Sequence, residues 1–267
     1  MPFTDIHSHI LPGFDDGASS DEEFLEMARV AVRGGTSTMA ATPHYDLENL
    51  SFGPGEIADA VEKYNRLLAE KGLALVLTPG VEIRINAGLF NLAKEGDAMG
   101  ELRLGGKGRY VLLDLPLVDI PVATPDILFQ VQLCGVGPIL AHPERNRYLV
   151  EHPSVIRELV ERGVELQVNS GSLEGIYGKS ARRTARRLLK EGTARLMASD
   201  AHSPRNRNPD LLVAARSLRA LLDDEAVRTI LEDNPNRVLS GEDLLETTGA
   251  GSRKQGSRHG LLRRRTR

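Results

Sequence analysis

The sequence predicts an α/β fold, with seven parallel strands and their helices closed or nearly closed into a (β/α) barrel. Three observations predict it. Short apolar runs alternate with amphipathic helical stretches along most of the 267 residues. The links between them are mostly short, as strand–helix units on a parallel sheet require. No Gly-x-Gly-x-x-Gly follows the first strand, which disfavours the competing architecture, a doubly wound dinucleotide-binding sheet. Nothing in the composition divides the chain before about residue 245, so a single domain over 1–247 and a basic, disordered tail over 248–267 are expected.

The elements follow in order. Strands are expected at 3–6, 36–42, 74–79, 110–115, 138–142, 164–169 and 194–199. The first helix begins at "SDEE", residues 20–23, a capping box with Ser20 as cap and Glu23 reaching back. It carries Phe24, Met27, Ala28 and Ala31 on one face and stops at Gly34-Gly35. Further helices are expected near 55–71, 86–98, 125–133, 154–162, 180–191, 210–222 and 225–232. Two of them open just after a proline, Pro54 and Pro153, whose missing N–H costs nothing there.

Composition narrows the function. Apolar residues make up 40% of the chain, enough for a real core, and no run nears the roughly 18 apolar residues of a membrane helix. No basic stretch followed by an apolar one opens the chain, and the one cysteine, Cys134, has no internal partner; both fit a reducing cytoplasm. Tryptophan is absent and aromatics reach only 4%, which argues against a base-stacking nucleic-acid binder. The net charge of −3 hides an asymmetry. Seven of the 34 Lys and Arg lie in 251–267, leaving 27 against 37 acids, a balance of −10, in the rest. A Gly/Ser/Arg tail of this kind reads as solvated and disordered, with contact to an anionic surface or polymer as the other reading.

The polar residues that end the strands carry the chemistry. The first strand runs into His7 and His9, the second ends in "ATPHY" with His44, and the third in "PGVEIRI" with Glu82. The fourth ends in "LLDLP" with Asp114 and the fifth in "LAHPERN" with His142 and Arg145. The sixth ends in "QVNSGS" with Asn169, the seventh in "ASDAH" with Asp200 and His202. Active sites of such barrels gather at this end. In an extended chain, residues i and i+2 face the same way, so His7 with His9, and Asp200 with His202, can each grip one ion. A His–carboxylate set suits manganese, iron or zinc better than calcium or magnesium alone. Taken singly, each feature has an ordinary explanation: a His-x-His packed in the core, a turn at Asp15-Asp16, a capping role for Asp114. Together, so many ionisable groups at an apolar barrel mouth require cations to offset their burial. His152 and His259 fall elsewhere and read as surface residues.

The stretches "DIHSHILPGFDDGA", "ATPHY", "GVEIRI", "AHPERN", "QVNSGSLEGIYG" and "ASDAH", in this order over about residues 3–235, resemble the polymerase-and-histidinol-phosphatase (PHP) superfamily. Within it they are most similar to the bacterial protein tyrosine phosphatases linked to capsule and exopolysaccharide synthesis. The resemblance implies a distorted seven-stranded barrel holding three divalent ions, usually manganese. His7, His9, Glu82 and Asp200 would hold the first ion; Glu82, Asp114 and His142 the second; Asp16, His44 and His202 the third. The family carries Glu where this chain has Asp114, one methylene shorter. Asp16 rather than its neighbour Asp15 is taken as the ligand.

The expected reaction is hydrolysis of phosphotyrosine by a metal-activated hydroxide attacking phosphorus in line, with the ions clamping the nonbridging oxygens. Arg145 and Arg207 are candidates to hold the phosphate bidentately, with a structural ion pair as their other reading. Cys134 lies in "VQLCGVG" with no Cys-x5-Arg loop, so the cysteine route is excluded. The expected partner is a phosphotyrosine protein, a tyrosine autokinase of polysaccharide export, with no nucleic acid and no membrane span; a homo-oligomer stays open. The alternatives are a small-molecule phosphomonoesterase such as histidinol phosphatase, disfavoured by "NSGSLEGIYG", and a non-catalytic kinase-binding module, disfavoured by the intact ligand set.

Overall fold

The computed structural model describes residues 2–95, 97–106 and 108–247; the basic tail expected over 248–267, His259 included, lies outside them. The elements are β1 (Phe3–Asp5), α1 (Asp21–Arg33), β2 (Thr36–Ala41), β3 (His44–Tyr45), α2 (Pro54–Glu70), β4 (Val76–Pro79), β5 (Glu82–Arg84), α3 (Ala87–Lys94), β6 (Tyr110–Asp114), α4 (Thr124–Leu133) and β7 (Gly137–Ala141). They continue with α5 (Arg147–Glu151), α6 (Pro153–Glu161), β8 (Glu165–Asn169), α7 (Ser170–Glu174), α8 (Gly178–Lys190), β9 (Leu196–Ala198), α9 (Leu211–Arg219), α10 (Asp224–Arg228) and α11 (Asn234–Ser240).

Every strand pair is parallel. The seven expected strand positions are all present, but two are broken. The second is β2 resumed as β3 after Thr42-Pro43, and the third is β4 resumed as β5 after Gly80-Val81. Pro43 has no N–H to give a ladder; its carbonyl instead accepts from the N–H of Glu82 at 3.0 Å. At Gly80 a Cβ would meet Leu104 Cδ2 at 2.8 Å, so glycine leaves room for the Leu104 side chain at the break. These breaks split the pairing into one sheet ordered β1-β2-β4 and another ordered β3-β5-β6-β7-β8-β9. The first and last strands meet at the C-terminal end, the mouth. There the N–H of His9 donates to Ala201 O at 2.8 Å, that of Asp200 to His7 O at 2.9 Å, and that of Thr42 to Ser8 O at 2.8 Å.

Strand alternation sorts the core into two layers. Tyr110, Leu112, Ile139, Ala141, Leu196 and Ala198 join Ile6 and Ala40 inside the barrel, while Val111, Leu113, Leu140 and Met197 pack outward among the helices. Leu104 and Val238 of α11 close the N-terminal end, the foot. There Asn234 Nδ2 donates to the carbonyls of Arg195 and Leu245 at 3.1 and 3.0 Å, and Thr4 Oγ1 donates to Asn236 Oδ1 at 2.8 Å.

Several boundaries differ from expectation. His142 lies beyond β7 in the left-handed region, at φ 35°. The helix expected over 86–98 is α3 only as far as Lys94, and a 3-10 segment lies over Asp97–Leu102. The helix expected over 225–232 ends at Arg228 and widens into a π-helical turn, Thr229–Asp233, before α11. Pro235 explains the widening, since it cannot donate back to the preceding turn. The short helices α5, α7 and α11 were not expected; five to seven residues are too few to show a period. At α1, Ser20 Oγ does cap the Glu23 N–H (3.3 Å), but Glu23 reaches back to Ser19 N–H and Oγ (2.9 and 2.6 Å) rather than to Ser20.

Candidate metal centre

The mouth inherits its polar side chains from the same alternation. On β8, Leu166 and Val168 face outward, so Gln167 and Asn169 face in. On β6 the inward row Tyr110, Leu112 continues to Asp114. Beyond the strands the backbone is strained to aim side chains. Among the described residues only three non-glycine positions have positive φ: His142 (35°), Asp200 (52°) and Arg207 (50°), all at the mouth. Such conformations persist only where the surroundings enforce them.

The inner part of the site is fully buried. His7, His9 and Glu82 are 0–1% exposed and Asp200 is 1% exposed. His7 Nε2 lies 3.3 Å from Glu82 Oε1 and 3.4 Å from Asp200 Oδ1. His9 Nε2 lies 3.4 Å from Glu82 Oε2 and 3.3 Å from Asp200 Oδ1. His142 Nε2 reaches Glu82 Oε1 at 2.9 Å and His44 Nδ1 reaches Glu82 Oε2 at 2.8 Å, so this carboxylate is the hub. The outer part is open to solvent: the side chains of His44 and Asp16 are 42% and 66% exposed. Asp16 Oδ1 stands 3.5 Å from His44 Nε2 and 3.3 Å from His202 Nε2.

Supporting residues fix which nitrogen faces inward. Gln167 donates its amide to Asn169 Oδ1 (2.8 Å), so its own oxygen accepts from His7 Nδ1 (2.9 Å). Asp15 Oδ2 accepts from His9 Nδ1 at 2.6 Å and from the His44 N–H at 2.9 Å. With both Nδ1 positions donating, the Nε2 atoms of His7 and His9 face each other at 3.2 Å. This outer-shell pattern is the one that holds ligating imidazoles in place.

Electrostatics agree. Burial works against charge on Glu82, but His7, His142 and His44 outweigh it and hold the carboxyl well below its usual range. Burial likewise opposes charge on Asp200, and His7 and His9 lead the groups that hold it far below normal. Burial lowers His9, yet Asp15, Asp200 and Glu82 together raise it well above its usual value. Burial and the neighbouring His9 push His202 down to about 3. Metal binding to such imidazoles displaces their protons.

The residues fit divalent cations. Three sets of donor atoms converge within 4.8 Å: His7, His9 and Asp200; His7, Glu82 and His142; and His9, Asp16, His44 and His202. Glu82 Oε2 faces His44 Nδ1 and His9 Nε2, and His202 Nε2 faces Asp16 Oδ1, so lone pairs of buried donor atoms crowd together, an expensive arrangement that a coordinated ion relieves. The donor set, imidazole nitrogen with carboxylate oxygen, suits manganese, iron or zinc.

The grouping differs from the expected one in three respects. Asp200 and His202 do not act as an i, i+2 pair, because the left-handed Asp200 breaks the alternation: Asp200 Oδ1 faces His7 and His9 while His202 Nε2 faces Asp16. His7 and His9 each belong to two sets. Asp114 stands back, its Oδ1 3.8 Å from His142 Nε2, because its side chain is short; burial and then Glu82 raise its pKa. The adjacent acids divide the work, Asp16 facing the outer imidazoles and Asp15 orienting His9.

Arg145 and Arg207 both reach the mouth and both bind Asp200. Arg145 Nη1 donates to Oδ2 at 2.7 Å, and Arg207 Nη2 lies 2.8 Å from each oxygen. Asn169 Nδ2 adds a third donor to Oδ2 at 2.6 Å, while Oδ1 is shared between Arg207 and the imidazoles. The Tyr177 ring covers the Arg145 guanidinium at 4.1 Å. The neighbouring Glu144 is buried and accepts from the Asn169 N–H at 2.9 Å. Beside His44, Glu82 and Asp114 a cleft of about 250 Å³ is lined by Phe14, Tyr45, Phe52 and Arg84. His152 is exposed and stacks on Tyr148 (4.2 Å). Cys134 precedes β7 at the foot, and its Sγ donates to Ala93 O at 2.9 Å.

Sequence reasoning assigned no supporting role to Asp15, Gln167 or Tyr177, though Asp15 was weighed as a ligand beside Asp16. For Gln167 a signal existed: it lies two residues before Asn169 on the same strand. The alternation that places Asn169 inward places Gln167 there too. Tyr177 lies within the matched stretch "QVNSGSLEGIYG", but nothing in that stretch points to its contact with Arg145.

The chain is similar to several known proteins. The tyrosine-protein phosphatase YwqE of Bacillus subtilis is 38% identical over 204 residues, 76% of this chain and 79% of that protein. The tyrosine-protein phosphatase CpsB of Streptococcus pneumoniae is 26% identical over 88% of this chain and 97% of its own. A crystal structure from work on YwqE and CpsB, described as unique metal-dependent tyrosine phosphatases, superposes with a TM-score of 0.82 at 34% identity, over 91% of this chain and 96% of the other. A β-aspartyl dipeptidase of Fervidobacterium islandicum AW-1, 14% identical with a TM-score of 0.58 over 93% and 77% of the two chains, shares the fold alone. The CpsB/CapC family of capsular polysaccharide synthesis matches residues 3–240, and this chain belongs to it.

Proposed function

We propose that this chain is a metal-dependent protein tyrosine phosphatase whose catalytic unit spans 1–247. The observation that carries the reading is the buried Glu82 hub, with its converging imidazoles and two arginines beside it. The likeness to YwqE and CpsB supports the substrate class. His7, His9, Glu82 and Asp200 would hold one divalent ion, Glu82 with His142 and Asp114 a second, and Asp16, His44 and His202 a third, manganese foremost. Bound there, such ions supply the Lewis acidity that activates water and offsets phosphoryl charge.

The chain's own residues do the rest. Gln167 and Asp15 keep the His7 and His9 protons on Nδ1 and so leave Nε2 free to coordinate. Arg145 and Arg207, held beside Asp200, present N–H donors that the nonbridging phosphate oxygens can share as charge builds. Phe14, Tyr45 and Phe52 offer an apolar wall to the substrate ring. Tyrosine is an easy leaving group, since a phenol with pKa near 10 departs with little help. The physiological substrate we propose is a tyrosine autokinase of capsule or exopolysaccharide synthesis, acting in the cytoplasm. No helix among the described residues is long and apolar enough to cross a membrane.

The test combines metal analysis with kinetics. Chelation with EDTA should abolish turnover of a phosphotyrosine peptide and manganese should restore it; full activity after verified metal removal would end the metal reading. Faster turnover of histidinol phosphate than of the peptide would instead assign a small-molecule phosphomonoesterase.

A further inference from the structure

The thirteen residues of α8, GKSARRTARRLLK, carry six cations and no acid. Ala181, Thr184, Ala185, Leu188 and Leu189 are buried, which turns the charges outward. Lys179, Arg182, Arg183 and Arg186 form one stripe at i, i+3, i+4 and i+7 and by themselves line a shallow cleft of about 380 Å³. Like charges at these spacings weaken a helix, so the stripe is no stabilising device.

Other surface helices pair their arginines one turn away: Arg66 with Glu62 at 2.6 Å, Arg147 with Glu151 at 3.0 Å, and Arg162 with Glu158 at 2.5 Å. None of the six α8 cations has an ion pair among the described residues. They stand on a body whose balance, these six cations included, is −10 once residues 251–267 are set aside. A concentrated positive stripe on an acidic protein selects a local anionic partner rather than polyanions in general. The stripe also adjoins the mouth. The turn before α8 carries Tyr177, whose ring covers Arg145, and Arg182 Cδ lies 3.5 Å from where a Cβ on Gly175 would sit.

We propose that the Lys179–Arg186 face of α8 docks an acidic stretch of the phosphotyrosine protein while its phosphotyrosine enters the mouth. The proposal rests on the phosphatase reading. The stripe is about 10 Å long, the span of about three residues of extended peptide, so it would take a short run of Asp and Glu. Docking at a separate face raises affinity for the protein substrate without touching the chemistry, so it acts on KM.

The test uses the full chain and three substrates: p-nitrophenyl phosphate, a phosphotyrosine peptide with neutral flanks, and one with an Asp/Glu run. The variant Arg182→Gln/Arg183→Gln/Arg186→Gln should raise KM for the acidic peptide about tenfold and leave kcat and the other two substrates unchanged. Added salt should do the same to the unmodified protein. Fluorescence anisotropy with the acidic peptide in unphosphorylated form measures docking alone. It should weaken equally in the variant, even if the site proves to favour another phosphate ester. Unchanged KM and anisotropy in the variant would overturn the proposal. So would loss only of sedimentation with phosphatidylglycerol vesicles, which would assign the stripe to a membrane surface. A failure on all phosphotyrosine substrates with intact anisotropy would count against the phosphatase reading and not against the docking face.

Discussion

The two ends of the barrel are built from the same strands and do opposite things. At the foot, Tyr110, Leu112, Ile139 and Leu196 meet Leu104 and Val238 in an apolar plug. At the mouth, a few residues further along those strands, imidazoles and carboxylates crowd within hydrogen-bonding distance of one another. All three positive-φ non-glycine residues described lie at that end. The foot gains free energy from burial; the mouth loses some to desolvation and strain, which cations held there would offset. The contrast teaches that stability and activity are carried by different ends, so substitutions should separate them.

The largest effect is expected at the hub. Glu82→Gln should lower kcat/KM by about a thousandfold or more, since Lewis-acid stabilisation is worth several kcal/mol at about 1.4 kcal/mol per tenfold. Metal content should fall with it; a variant that keeps both its metal and its rate would break the contrast from the mouth side. The matching substitution inside the barrel, Ile139→Ala, should cost about 2–5 kcal/mol of stability in urea unfolding. Turnover per folded, metal-loaded molecule should stay as it was, and a collapse of that normalised rate would break the contrast from the other side.

Arg145→Ala comes next. A charge-assisted contact is worth roughly 1.5–3 kcal/mol, so kcat/KM normalised to metal should fall about ten- to a hundredfold. Arg145→Lys should recover only part, as an ammonium lacks the fork. If Arg145 serves only to neutralise Asp200, metal affinity or melting temperature will fall instead, with normalised kinetics unchanged.

A smaller effect concerns the helical layer. Tyr64 Oη of α2 donates to Asp21 Oδ1 of α1 at 2.6 Å. Burial first, and then Asp21, raise its pKa above the usual value near 10. The folded state therefore holds this proton longer than the unfolded one. The contribution is complete below pH 10 and is lost as pH rises towards the folded value. Urea midpoints measured between pH 9 and 11 should decline, and Tyr64→Phe should decline less steeply. The smallest effect is Cys134→Ser at the foot, expected to leave kcat within about threefold, where a nucleophile would lose several powers of ten.

The strand count, the inward ends of the strands and the polar residues on them were legible in the sequence. Period-two alternation and strand–helix spacing are local properties of the chain. His7, His9, His44, Glu82, Asp114, His142, Asp200 and His202 were legible as strand-end residues for the same reason, whereas Asp16, well beyond β1, came only from the family resemblance. What the tertiary structure alone decided concerns directions and partners. Left-handed backbone at His142 and Asp200 carries these residues off the alternation, so no periodicity argument could say which atom each faces. Asp15 and Asp16 are identical in kind and adjacent in sequence. Only packing turns one carboxylate onto His9 and leaves the other between His44 and His202. Arg145 was legible as a residue near the mouth, but its pairing with Asp200, 55 positions away, is set by how the fifth and seventh strands sit in the ring. Sequence determines which side chains reach the mouth because that follows from local geometry. Which of them meet is decided by closure of the barrel, a property of the whole chain.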